Sequence, residues 1–124
     1  MKKLLVICWL VIWAVTAFSQ APETISGALP DTTPWRVTQP AQWNGTLILD
    51  LDGGGANQSN LVKWLLANGY AYGGTTRGAC GYDFPKCVSN LLIVRQTFIE
   101  KFKEPTRTLA LGGSRGAFVA RLAL

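Results

Sequence analysis

Histidine is missing from all 124 residues of this chain. That absence removes the side chain that most often moves protons near neutral pH, and with it the commonest nitrogen ligand for a metal. Cysteine is scarce, with only Cys8, Cys80 and Cys87. Six residues separate Cys80 from Cys87, and no histidine or further cysteine completes a tetrahedral metal set beside them. The twelve Lys and Arg residues are scattered, so the phosphate-tracking stripe of a nucleic-acid-binding surface is not formed. No Gly-Lys-Ser/Thr follows a glycine-rich turn, which excludes a phosphate-cradling P-loop, and no Gly-x-Gly-x-x-Gly marks a dinucleotide site. No cofactor and no metal are therefore expected. Internal repeats and low-complexity tracts are lacking too. The longest apolar run, residues 4–18, is 15 residues, shorter than the roughly 20 that a bilayer span needs.

That run nevertheless has a reading. Lys2 and Lys3 precede it, and Ala17 and Ser19 place small residues at its end. This is the pattern of a secretory signal peptide over residues 1–19, cleaved after Ser19. The alternative is an uncleaved membrane anchor. Export to the periplasm or medium is expected, with membrane contact only through this segment. The net charge of +5 falls to +3 from Gln20 onward, where ten basic residues face seven acidic ones. Cys8 would leave with the signal segment. Cys80 and Cys87 remain as an even pair in an oxidising compartment and are candidates for a disulfide.

Residues 20–42 carry Pro22, Pro30, Pro34 and Pro40 and read as an extended lead-in, with a short strand over residues 35–38. From Trp43 the pattern alternates. Asn44-Gly45 signals a turn before an apolar strand over residues 46–51. Asp52-Gly53-Gly54-Gly55 follows as a flexible loop. A helix over residues 60–68, with Leu61, Trp64, Leu65 and Leu66 as its apolar stripe, closes at Gly69. Residues 70–76 are a second strand candidate, and 77–83 a glycine-rich loop. The longest helix spans residues 84–103, with Val88, Leu91, Leu92, Phe98, Ile99 and Phe102 on one face. Arg95 lies at the edge of that stripe with its head in water. Pro85 suits the first turn and Pro105 the stop. A third strand over residues 106–111 leads into a final helix. Strands alternating with helices predict an α/β domain with a mainly parallel sheet and crossover helices.

Between the third strand and the last helix lies Gly112-Gly113-Ser114-Arg115-Gly116. Gly-x-Ser-x-Gly in a strand-to-helix turn is the pattern of a nucleophile elbow. A serine hydroxyl must be exposed, aimed and relieved of its proton before it can attack. A tight turn supplies the first two needs, with Gly112 and Gly116 leaving room for the backbones to approach. The helix behind it aims free N–H groups at the site, so the Arg115 N–H is a candidate oxyanion donor. The glycines after the first strong strand, Gly53 or Gly54, are candidates for a second donor. Lys63, Lys86, Lys101 and Lys103 read as surface charges rather than bases. Asp50, Asp52 and Asp83 are possible acids, but they have no histidine to orient.

From Trp43 to Leu124, about two-thirds of the chain, the sequence resembles the N-terminal half of a secreted bacterial α/β-hydrolase. The resemblance is of the serine esterase or prolyl-oligopeptidase-like peptidase type. It is carried by Trp43-Asn44-Gly45-Thr46-Leu47, Leu66-Ala67-Asn68-Gly69-Tyr70-Ala71, Arg77-Gly78 and the elbow. It implies Ser114 as nucleophile, with the N–H groups of Arg115 and of Gly53 or Gly54 as the oxyanion hole. Two departures stand out. Asp52 occupies a place where many relatives have histidine. The acid and histidine that follow the serine in the family are not among these residues. The expectation is thus a partial α/β-hydrolase fold, ending after the elbow helix, from an exported serine hydrolase acting on ester or amide bonds. Its substrate would be a small molecule or peptide, and the chain as given would be inactive or nearly so. The alternative is an exported, non-catalytic binding protein on the same scaffold.

Overall fold

The computed structural model describes residues 21–51, 59–76 and 80–123. The proline-spaced lead-in forms two strands, β1 (Glu23–Ala28) and β2 (Pro34–Gln39). They pair antiparallel, from Glu23 opposite Gln39 to Ala28 opposite Pro34. Asp31 organises the connecting turn. Its Oδ1 accepts from the Thr33 N–H at 3.0 Å, and its Oδ2 accepts from Asn90 Nδ2 at 2.9 Å.

The alternating part follows. Asn44 Oδ1 accepts from the Thr46 N–H at 2.9 Å, which launches β3 (Thr46–Asp50). Helix α1 (Asn60–Ala67) begins where the Ser59 side chain accepts from the Val62 N–H, a side-chain cap for an otherwise unpaired donor. It ends at Gly69, whose φ of +82° and close approach to the Gln42 carbonyl leave no room for a Cβ. Strand β4 (Ala71–Thr75) is buried throughout. Helix α2 (Phe84–Lys101) starts with Asp83 as cap and Pro85 in its first turn. Strand β5 (Arg107–Leu111) and helix α3 (Arg115–Leu122) complete the order.

The five strands form one sheet in the order β1-β2-β4-β3-β5. This is not the expected mainly parallel α/β-hydrolase sheet. β3 pairs parallel with β4 and with β5, but β2 pairs antiparallel with both β1 and β4. The sheet is mixed because the lead-in contributes a hairpin, and a hairpin reverses direction without a crossover helix.

Alternation along β3 separates two cores. Leu47, Leu49 and Leu51 pack with Val37, Leu91, Val94, Phe98 and Val119. Ile48 packs with Tyr72, Val62 and Leu65 on the other face. Successive side chains of a strand point to opposite faces, so α1 covers one face and α2 with α3 the other. The stripe expected on α1 is rotated. Val62 and Leu65 are buried, whereas Leu61 and Trp64 are 53% and 56% exposed. On α2 the buried set is Cys87, Asn90, Leu91, Val94 and Phe98, and Leu92 faces outward. Arg95 donates to Thr108 Oγ1 at 3.1 Å and to Glu104 at 2.7 Å, its head held at the edge of β5.

Candidate active site

The C-terminal ends of β3, β4 and β5 lie on one edge of the parallel part of the sheet, with Asp50 in register with both Gly74 and Leu111. Segments leaving β3 and β5 therefore start side by side. Gly53 and Gly54, expected to supply an oxyanion donor after β3, lie outside the described residues, as do Asp52 and Arg77.

The turn after β5 is described in full. Ser114 has φ +51° and ψ −118°, a left-handed backbone that a residue with a Cβ adopts only under constraint. The constraint is visible at Gly112, where an added Cβ would lie 2.3 Å from the Gly116 carbonyl carbon. The two glycines of the motif thus touch backbone to backbone. The Gly116 N–H donates to the Gly113 carbonyl at 2.9 Å and the Ala117 N–H to that of Ser114 at 3.1 Å. Gly113 and Ser114 are exposed, while Gly116 is buried.

Ser114 occupies the cap position of α3, yet its side chain makes no cap hydrogen bond. Serine at this position ordinarily spends its oxygen on the helix. Here the residue is exposed and its hydroxyl leaves the helix end uncapped. The N–H of Arg115, as the first of the helix, has no acceptor within it. It sits at the positive end of the helix dipole.

The Arg115 side chain was not legible as part of this arrangement. Its Nη1 donates to the Gly81 carbonyl, and its guanidinium lies 5.1 Å from the Tyr82 ring centre. Gly81 and Tyr82 belong to a turn closed by the disulfide Cys80–Cys87. The expected cysteine pairing is present. Phe84 and Phe118 pack at 4.9 Å between ring centres, adding a second contact between that turn and α3. No local signal links residues 34 positions apart in this way.

Most of the other titratable candidates among the described residues have structural partners. Asp83 caps α2, accepting from the Lys86 N–H at 3.1 Å. Asp50 accepts from the Tyr72 hydroxyl at 2.7 Å. Lys86 pairs with Asp31 at 3.5 Å and Lys101 with Glu23 at 2.8 Å. Lys103 lies 5.4 Å from the Trp43 ring centre. Lys63 is exposed on α1.

No protein-family model matches the chain. In an alignment 100 residues long that takes in 76% of the chain, it is 37% identical to an o-phthalyl amidase of Xanthobacter agilis. Those residues cover 22% of the amidase, so the chain spans about a fifth of that relative's length. That relative, as an amidase, is a hydrolase.

Proposed function

We propose that this chain carries the nucleophile and oxyanion donors of an exported serine hydrolase that cleaves amide bonds. The observation that carries the proposal is Ser114, exposed and strained at the head of α3 with a hydroxyl that does not cap the helix. The similarity to an amidase supports the choice of amides over esters.

In this reading the Ser114 Oγ attacks the amide carbonyl carbon. The C=O electron pair moves onto oxygen, where the Arg115 N–H and an N–H of Gly53 or Gly54 hold the charge. Collapse expels the protonated amine and leaves an acyl-Ser114 ester, which water hydrolyses. The proton of Ser114 needs a base. These 124 residues hold no histidine, so a histidine base would have to come from polypeptide outside them. Oxyanion donors without a complete triad keep a residual acceleration of roughly 10³–10⁴-fold over water. The chain by itself should therefore react once and slowly rather than turn over.

A fluorophosphonate probe tests this, because it phosphonylates an activated serine. Trypsin should release residues 108–115 with the probe on Ser114. Ser114→Ala should lose that adduct while remaining folded. A folded chain that forms no Ser114 adduct would favour the non-catalytic binding protein. Export is tested separately: the mature protein should begin at Gln20.

A further inference from the structure

We propose that the Arg115 side chain is a positioning residue, which locks the Ser114 turn onto the disulfide-closed turn at Cys80–Cys87. The proposal rests on the serine-hydrolase reading above and assigns a role to a side chain that reading leaves unused.

The Ser114 turn has little to hold it from outside. Gly113 has open space where a side chain would be, and both Gly113 and Ser114 face solvent. A strained backbone persists only where its surroundings over-determine it. Gly112 and Gly116 permit the turn but supply no bond across it to another part of the fold. Arg115 does. Its Nη1 reaches the Gly81 carbonyl, and the Tyr82 ring lies beside the guanidinium. Its Nε and Nη2 are buried without a hydrogen-bond partner among the described residues. No described carboxylate pairs with it. Burying donors is unfavourable unless bonds offset it, and the bond to the Gly81 carbonyl is one such bond. What it gains is attachment to a rigid anchor.

That anchor is rigid for covalent reasons. The Asp83 N–H donates to the Cys80 carbonyl at 2.8 Å, and the Cys87 N–H to that of Asp83 at 3.0 Å. The disulfide then ties the start of this turn to the first turns of α2. Gly81 and Tyr82 are thereby held against the long helix that lines the core. Through Arg115 the same anchor sets the backbone N–H proposed to receive the oxyanion, one residue from the nucleophile. A shift of the turn would move both.

The test compares the rate of Ser114 phosphonylation with the disulfide intact and reduced. A dithiol supplies two electrons and two protons, leaves as its own cyclic disulfide, and converts Cys80 and Cys87 to thiols. Circular dichroism confirms that the reduced chain stays folded. Reduction and Arg115→Met should each lower the saturating labelling rate about tenfold, the scale of one charge-assisted hydrogen bond. The half-saturating probe concentration should stay unchanged. Reducing Arg115→Met should cause no further loss, because the two changes break one linkage. Tyr82→Ala, an exposed and fold-safe change, should give a smaller loss. Mere destabilisation would instead lower the labelled fraction and leave the rate of the folded molecules alone. Equal saturating rates for oxidised and reduced chain, or losses that multiply, would overturn the proposal.

Amide hydrogen exchange over residues 112–118 gives a readout independent of reactivity. It should speed up on reduction in the wild-type chain and be insensitive to reduction in Arg115→Met. If Ser114 never labels but exchange shows this coupling, the hydrolase reading fails while the linkage stands. If Ser114 labels and exchange ignores the disulfide, the linkage alone fails.

Discussion

At Ser114 two constraints meet in one residue. The backbone is left-handed, with φ +51°, and the hydroxyl is withheld from the helix it heads. The tight turn that holds this backbone depends on the close approach of Gly112 to Gly116. Gly112→Ala would place a methyl group 2.3 Å from Gly116, and this neighbour is backbone that cannot swing away. The variant should lose about 1–3 kcal/mol of stability, the range of an overpacked site. Urea unfolding would measure it. Gly113→Ala, with open space at that position, should fall within about 0.5 kcal/mol of wild type, as surface substitutions do. Similar losses for both variants would refute the close-approach account.

At the scale of elements, the β1–β2 hairpin is joined to α2 through Asp31. The hydrogen bond from Asn90, with help from the Thr33 N–H and the Lys86 charge, holds the Asp31 carboxyl well below the usual carboxylate range. The sign of the pH effect follows. A carboxylate bound more tightly as its anion in the folded state stabilises the fold above its unfolded pKa of about 3.9. That contribution fades as pH falls below this value toward the folded pKa. Asp31→Ala should therefore be less stable than wild type at pH 6, and the gap should narrow steadily between pH 4 and pH 2. A gap independent of pH would show that Asp31 acts through turn geometry rather than charge.

For the whole molecule, the sheet ends on β5, which pairs with β3 on one side and has no strand partner on its other side among the described residues. Leu109 is 42% exposed on it, and Phe118 and Leu122 of α3 are each 52% exposed nearby in sequence. An open strand edge beside apolar surface invites association. The chain should self-associate as its concentration rises, visible by sedimentation velocity. Leu109→Lys, which places a charge on the edge strand, should shift the distribution toward monomer without lowering the unfolding midpoint.

Local features of the sequence determined much of this protein. The alternation from Thr46 onward, the turn at Asn44-Gly45, the Pro85 start of α2 and the Gly112–Gly116 turn are all short-range matters of backbone sterics and apolar period. The Cys80–Cys87 pair was legible because, with Cys8 assigned to the signal segment, only these two cysteines were left to pair. Tertiary structure decided the rest. Whether the lead-in would join the sheet, and in which direction, depended on β2 finding β4, a pairing between segments far apart in the chain. That choice made the sheet mixed. The face α1 buries was set by where Ile48 and Tyr72 stand on the sheet: the expected stripe of Leu61, Trp64, Leu65 and Leu66 left out Val62, an apolar neighbour that the sheet draws inward with Leu65. The Arg115–Gly81 contact and the Asp31–Asn90 bond, 34 and 59 positions apart, carry no trace in local pattern. Each needs a folded chain to bring a donor to an acceptor, and only the folded chain chooses which one.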